Sequence, residues 1–270
     1  MDGIQVLLAD TIQKQLTLRQ VDYWKKQIPE KCIPILWFGE HRQRSLVSTL
    51  GANPSRTEFF PSRQAAKDGE LLDRQMSRFY TFTEEDLSSP TKPEILAKII
   101  QSYDKYFNRN PYTRWFGKPS TTGAYNLEGF LNGVGASFYK TVNLGCIHLD
   151  LVPFTTLDDF SQLDEAQLKP ALFYDGWAKQ NLIRLLELLN PQRIFVLGRK
   201  NVEWFNKFYY PLKLDNEYHR GSTKARYGLS RIQVGHSKIP IAGVSVNLGN
   251  PIGFDKNSLH EFGAFFRSII

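Results

Sequence analysis

Cysteine is nearly absent from this sequence, which contains only Cys32 and Cys146. Two cysteines are too few for a four-thiolate zinc site or an iron–sulfur cluster, and they give no sign of a disulfide framework. Carboxylates spaced as metal ligands are also missing. The sequence therefore predicts that no metal or other cofactor is needed, and its thiols are typical of a reducing cytoplasm.

Long hydrophobic runs are missing as well. No apolar run approaches the roughly 20 residues that a membrane-spanning helix needs, and the first residues lack the pattern of a secretory leader. A Walker-type phosphate loop and a nucleophile elbow are not found either. We therefore expect no membrane association. We also expect a monomer.

The sequence contains more basic than acidic residues. The 34 Lys and Arg residues outnumber the 27 Asp and Glu residues, which gives a net charge of +7. Such a balance favours an acidic partner, of which nucleic acid is the commonest. Several of the basic residues fall in the stretch 213–238, which suits phosphate contacts. A solvated basic loop explains this stretch about equally well.

The apolar pattern predicts one α/β domain over residues 1–270, with a helical lead-in over residues 1–30. Apolar and β-branched runs predict strands at residues 33–38, 46–50, 146–154, 193–197 and 239–246. Helical spacing predicts helices at residues 71–79, 95–107, 127–138, 172–189, 202–209 and 258–269. Strands that alternate with helices indicate a three-layer α/β/α sandwich around a mainly parallel sheet.

A tight polar turn follows the predicted strand at residues 46–50. Its sequence is Gly51-Ala52-Asn53-Pro54-Ser55. Glycine permits backbone angles that other residues avoid, and the proline biases the preceding Asn53 away from the helical region. The turn thus holds a small polar side chain at the carboxyl end of a strand, where open α/β sheets bind ligands.

Four stretches, in this order along the chain, resemble the uracil-DNA glycosylase superfamily. The turn at residues 51–55 resembles the first motif of the family, and CIHLDLVPF at residues 146–154 resembles the strand that carries the base-reading residue. Residues 194–201 resemble the third strand and the following helix start. NLGNPIGF at residues 247–254 resembles the second motif, in which a polar residue precedes a DNA-inserting loop. The resemblance implies a central sheet of four strands.

The resemblance also implies a reaction, namely hydrolysis of the N-glycosidic bond of a base flipped out of DNA. Asn53 would orient the attacking water, and Asn247 or Asn250 would donate to the departing base where the best-studied branch uses a histidine. Phe59 or Phe60 would stack on the base. The remaining residues would contact DNA. Ile252 would be the apolar wedge that fills the space left by the flipped base, and the DNA backbone would be bound by Ser55, Arg56, Arg199 and Lys200.

Asp150 departs from the family pattern in an informative way. Uracil-reading branches usually have an asparagine here, which can both accept from and donate to uracil. An ionised aspartate only accepts, so it suits the exocyclic amine of cytosine. Because a glycosylase for plain cytosine would damage its own genome, we expect a modified cytosine of phage DNA, hydroxymethylated or glucosylated. His148, two residues earlier, could assist protonation of the base, although a satisfied core histidine is the favoured interpretation.

Three other functions stay open. The first is a uracil or mismatch glycosylase of DNA repair. The second is a non-catalytic DNA-binding protein on the same fold, which would bind DNA with steep salt dependence but release no base. The third is an enzyme acting on a nucleotide or sugar phosphate, with residues 198–201 as its phosphate turn.

Overall fold

The computed structural model describes residues 1–43, 46–73, 75–119, 124–139 and 144–270. These residues form an α/β protein with a single mixed sheet of seven strands, rather than the four predicted. The strands are β1 (Leu46–Gly51), β2 (Ala136–Ser137), β3 (Leu144–Asp150), β4 (Arg193–Leu197), β5 (Asn216–Arg220), β6 (Thr223–Val234) and β7 (Ser237–Val244).

Eleven α-helices lie in the described part of the chain. They are α1 (Gly3–Leu18), α2 (Asp22–Gln27), α3 (Arg63–Asp68), α4 (Glu84–Ser88), α5 (Pro93–Asp104), α6 (Thr113–Phe116), α7 (Asn126–Val134), α8 (Glu165–Leu168), α9 (Trp177–Leu189), α10 (Arg199–Phe208) and α11 (Lys256–Ile269). A π-helical turn, Lys169–Tyr174, precedes α9. None of the helices in the described ranges is long and apolar enough to cross a membrane.

The chain divides into two compact units. The first consists of Met1–Phe38, Ala52–Asn110 and Asp150–Leu188, and the second of Gly39–Gly51, Pro111–Leu149 and Leu189–Ile270. Each unit is assembled from three separated segments. The prediction of one domain over residues 1–270 stays a prediction.

The second unit contains the sheet, apart from the last residue of β3. Its strand order is β2-β3-β1-β4-β7-β6-β5, and β4 pairs in parallel with both β1 and β7. Helices cover both faces of this sheet. On one face Phe195 of β4 meets Phe130 of α7 and Phe266 of α11. On the other face, Val202 of α10 lies against Gly243 of β7, where a Cβ atom would come within 3.0 Å of it.

The additional strands come from the basic stretch. β5 and β6 form an antiparallel hairpin, and β6 also pairs antiparallel with β7, so the predicted loop at residues 213–238 extends the sheet. Its charges do not form one stripe. Lys224 and Arg226 alternate with buried Ala225, whereas Arg231 is exposed next to buried Ile232, so the exposed face changes along the strand. The sequence pattern did not predict this hairpin, because charged residues interrupt the apolar alternation of its two strands.

The first unit is mainly helical. Residues 33–38, predicted to be a strand, are buried but lie outside the strands of the described part of the chain. The Ile35 amide donates to the Pro153 carbonyl at 2.8 Å, and Cys32 pairs with Thr81 as an isolated bridge. An apolar run alone does not distinguish a buried extended segment from a strand, because the backbone partner comes from elsewhere in the chain.

One predicted helix of the first unit is wrong. Apart from Arg74, which lies outside the described residues, residues 71–79 are irregular. The preceding helix α3 ends at Asp68 because Gly69 adopts the left-handed conformation at φ 75°, which terminates a helix. The Leu72 amide then donates to the Phe59 carbonyl at 2.8 Å, so a backbone hydrogen bond joins this segment to the loop after β1.

Candidate active site

Asn53 lies in the loop directly after β1, and its side chain is held at two points. Nδ2 donates to the Phe154 carbonyl at 3.1 Å and to Thr156 Oγ1 at 3.0 Å. A carbonyl oxygen only accepts, so the atom that faces Phe154 must be the amide nitrogen. The two donations use both N–H groups, and any further bond of this side chain is therefore accepted by Oδ1.

The loop after β1 is joined to the loop after β3. The Val152 amide donates to the Ala52 carbonyl at 3.0 Å, immediately beside Asn53. Asp150, the last residue of β3, is only 8% exposed. The hydrogen bonds of Asn53 to residues 154 and 156 add to this link. The predicted water-orienting Asn53 thus lies on a loop that hydrogen bonds join to the loop directly after the predicted base-reading Asp150.

Glu58, an acidic residue of the same unit as Asn53 and Asp150, was not predicted to be a site residue. It lies five residues after Asn53 in the short 3-10 helix Arg56–Glu58 and is only 3% exposed. Tyr106 donates its hydroxyl to Glu58 Oε2 at 2.9 Å, and Arg78 Nε lies 3.8 Å from the same oxygen. Burial, opposed by Arg78 and Tyr106 and reinforced by the charge of Asp150, raises the pKa of Glu58 to about 7.

Arg78 does not form a close ion pair with this carboxyl. Its Nε donates to the Asn110 carbonyl at 2.8 Å, and its Nη1 donates to the Thr57 carbonyl. At 3.8 Å the distance to Glu58 exceeds hydrogen-bond range. The guanidinium therefore offsets the buried charge only in part, which explains why the burial of Glu58 dominates its pKa.

Phe59 and Phe60 are each 2% exposed. The ring centroid of Phe59 lies 5.9 Å from that of Phe79, which stacks on Tyr106 at 4.9 Å. Phe59 thus belongs to an aromatic cluster that includes Tyr106, the hydrogen-bond donor to Glu58. These contacts are those of core residues, and stacking of either ring on a base stays a prediction.

Ser55 and Arg56 serve local structure. The exposed Ser55 caps the 3-10 helix and accepts from Thr57 Oγ1 at 2.9 Å. Arg56 Nη1 donates to Asp159 Oδ1 at 2.7 Å and to the Leu157 carbonyl at 3.2 Å. The guanidinium of Arg56 fastens this loop to residues 157–159, and its predicted contact with DNA would have to compete with that ion pair.

His148 is buried in the second unit. Its Nδ1 lies 2.8 Å from Thr49 Oγ1, and the edge of the Phe116 ring packs against it with centroids 5.3 Å apart. These contacts are those expected of a satisfied core histidine. The predicted role in protonating the base stays a prediction.

Asn247 and Asn250 are both exposed in the turn after β7. Asn247 Oδ1 accepts from the Gly249 amide at 3.1 Å, so a donation to a ligand would come from Nδ2. The indole of Trp115 packs on the same turn. A Cβ atom at Gly249 would lie 2.2 Å from that ring, so only glycine permits this approach. The turn is therefore anchored while its two amide side chains face outward.

The loop after this turn carries Ile252, which is 85% exposed. Its amide donates to the Asn250 carbonyl at 3.0 Å, and Gly253 follows at φ 83°. Arg199 and Lys200 are exposed at the beginning of α10 in the same unit. The Arg199 amide donates to the Ser245 carbonyl at 3.2 Å, which links the ends of β4 and β7.

The structure thus places Asn53, Asp150, Phe59 and the unpredicted Glu58 in the first unit, and Asn247, Asn250 and Ile252 close together along the chain in the second. Comparison of the sequence with protein-family models and with curated proteins found no match. One signal could have revealed Glu58: it is a charged residue next to two phenylalanines, on the same loop as the first motif.

Proposed function

We propose that this protein is a monofunctional DNA glycosylase that releases a modified cytosine from DNA and leaves an abasic site. The observation that supports this most is the fixed orientation of the Asn53 amide, whose Oδ1 can accept from a water. The buried carboxyl group of Asp150 ends β3, directly before the adjoining loop. Together they supply a water-orienting acceptor and an acceptor for the amine of cytosine.

In the proposed reaction the N1–C1′ bond breaks and its electron pair leaves with the base. The sugar becomes oxocarbenium-like, and the water held by Asn53 Oδ1 forms the new bond to C1′. That water loses a proton to solvent, and the base gains one. Products are a free base and an abasic sugar, so the step is a hydrolysis that needs no oxidant or reductant.

Substrate choice is assigned to Asp150. An ionised carboxylate accepts from the exocyclic amine of cytosine but faces the O4 of uracil with like charge. We therefore propose that the released base is hydroxymethylcytosine, with or without glucose. Foreign DNA that carries this base differs from host DNA, so its release would spare the host genome.

Base release followed by mass spectrometry tests the proposal on three DNAs: uracil-containing, unmodified, and phage DNA that carries modified cytosine. Release of modified cytosine alone is expected. Release of uracil would keep the reaction but overturn the substrate, and tight binding without any release would favour a non-catalytic DNA-binding protein.

Asp150→Asn tests the base-reading role. The amide can donate as well as accept, so preference should shift from cytosine-type bases toward uracil by about tenfold or more, the worth of 1–3 kcal/mol of discrimination. Asp73→Asn, at an exposed position of the same unit, is the matched control. An unchanged ratio of the two released bases would remove Asp150 from base reading.

A further inference from the structure

The two hydrogen-bond partners of the Asn53 amide group differ in kind. Asn53 Nδ2 donates to the Phe154 carbonyl at 3.1 Å and to the Thr156 hydroxyl at 3.0 Å. A carbonyl only accepts, whereas a hydroxyl can also donate, so a free hydroxyl would suit an amide turned by half a rotation equally well. The direction of the Thr156 proton therefore decides how the second N–H group of Asn53 is held.

The proton of the Thr156 hydroxyl is already used. Oγ1 donates to the Asp158 carbonyl at 2.7 Å. Because a hydroxyl has one proton, the lone pairs of Oγ1 face Asn53, and they only accept. Thr156 is 3% exposed, so water competes little for these hydrogen bonds. The three groups form a series of hydrogen bonds with a single direction, from Asn53 Nδ2 through the Thr156 hydroxyl to the Asp158 carbonyl.

The far end of this series is anchored on two helices of the first unit. Gln27, the last residue of α2, donates from Nε2 to Asp158 Oδ2 at 2.8 Å and accepts from the Asp158 amide at 3.2 Å. The Gln27 carbonyl also accepts from the Leu157 amide at 2.9 Å. Arg63, the first residue of α3, donates to Asp158 Oδ1 at 2.9 Å. Both the backbone and the side chain of Asp158 are thus fixed, and its carbonyl gives Thr156 a stationary acceptor.

We propose that Thr156 is a positioning residue for base release, which holds the Asn53 amide so that Oδ1 is presented to the attacking water. The proposal rests on the proposed function. Without the hydroxyl, Asn53 keeps only its hydrogen bond to the Phe154 carbonyl, about which the amide can pivot. The oxygen that orients the water then samples more positions, and a step that depends on placing this water at C1′ becomes slower.

Replacement of the hydroxyl tests this role. Thr156→Val keeps a similar side-chain volume, and its single-turnover release of modified cytosine at saturating DNA should be about tenfold slower, roughly the worth of one hydrogen bond. The DNA concentration at half-saturation should stay the same, because Thr156 acts on the water and not on binding. Thr156→Ser keeps the hydroxyl and should restore release to within about twofold of wild type.

The neighbouring threonine offers a matched control. Thr155 is 1% exposed, and its hydroxyl has no hydrogen-bond partner in the part of the chain that the structure describes. Thr155→Val therefore makes the same chemical change at an adjacent buried position without removing a hydrogen bond. It should release the base at the wild-type rate, and a tenfold loss in this control would overturn the assignment to Thr156.

A double-mutant cycle separates positioning from a general effect on the fold. If Thr156 acts only through Asn53, the combination of Asn53→Ala with Thr156→Val should release the base no more slowly than Asn53→Ala alone. A merely structural Thr156 would slow the Asn53→Ala protein by the same factor as the wild type, which would overturn the proposal. Thr156→Ala also lacks the hydroxyl, and it takes the place of Thr156→Val if the valine protein does not fold.

Nuclear magnetic resonance of isotope-labelled protein detects the hydrogen bond without any activity. The Nδ2 protons of Asn53 should exchange slowly with water in wild type and Thr156→Ser, and faster in Thr156→Val. Unchanged exchange in Thr156→Val, or base release by Thr156→Val at the wild-type rate, would overturn the role of Thr156 alone. Wild-type protein that releases no base from any DNA would overturn the proposed function, and with it this role, whatever the exchange shows.

Discussion

Two glutamates, one in each unit, are buried to nearly the same degree but are supported very differently. Glu128 of α7 is fully buried and accepts from Ser137 Oγ at 2.6 Å, from the Phe138 amide at 3.1 Å and from Asn132 Nδ2 at 3.3 Å. Glu58 has the single hydroxyl of Tyr106 and a guanidinium at 3.8 Å.

The difference shows how a buried carboxyl group serves structure or chemistry. The donors to Glu128 come from its own helix, from Ser137 of β2 and from Phe138 directly after β2, so this carboxyl group connects α7 to the edge of the sheet. Glu58 accepts a hydrogen bond only from the Tyr106 hydroxyl, and burial raises its pKa to about 7. A poorly supported charge is a common property of functional sites.

Glutamine substitution should separate the two residues most strongly. In Glu128→Gln the new amide group would face either the Phe138 amide or Asn132 Nδ2, which only donate, so two buried donors would be left without an acceptor. We expect a loss of about 4 kcal/mol in the free energy of unfolding. Glu58→Gln should lose far less at pH 8, because it removes a buried charge and its carbonyl can still accept from Tyr106. Chemical denaturation of both variants measures this, and equal losses would abolish the distinction.

The pH dependence of stability should give a somewhat smaller effect. The folded state raises the pKa of Glu58 from its ordinary 4.5 to about 7, so folding is favoured while the group is protonated. This contribution is complete below pH 4.5 and is lost as the pH rises through 7, which amounts to about 3 kcal/mol. The difference in unfolding free energy between wild type and Glu58→Gln, measured from pH 4 to 8, should change by about that amount. A constant difference would contradict the raised pKa.

Much of the fold follows from local patterns. The strand at Arg193–Leu197 and the helices Pro93–Asp104 and Lys256–Ile269 agree with their predictions, because their apolar spacing is strong and uninterrupted. Residues 33–38 and the hairpin β5–β6 do not. Their state depends on backbone partners far along the chain, which local periodicity does not reveal.

The candidate site was predictable to a different extent. The turn around Asn53 carries its own signal, since glycine and proline mark it. Glu58 carries almost none, because its properties come from burial and from Tyr106, which lies 48 residues farther along the chain. Local sequence patterns predict residues such as Asn53, whereas burial and electrostatic interactions are properties of the folded unit.

Single-turnover release of modified cytosine at pH 6 by wild type and Asn53→Ala tests the central claim most directly. Loss of the water-orienting carbonyl should lower the rate by about 100- to 1,000-fold, roughly the 3–4 kcal/mol that one positioned group contributes to such a transition state. Asn108→Ala, at an exposed position of the same unit, is the control and should match wild type. A folded Asn53→Ala protein that releases the base at the wild-type rate would contradict the account.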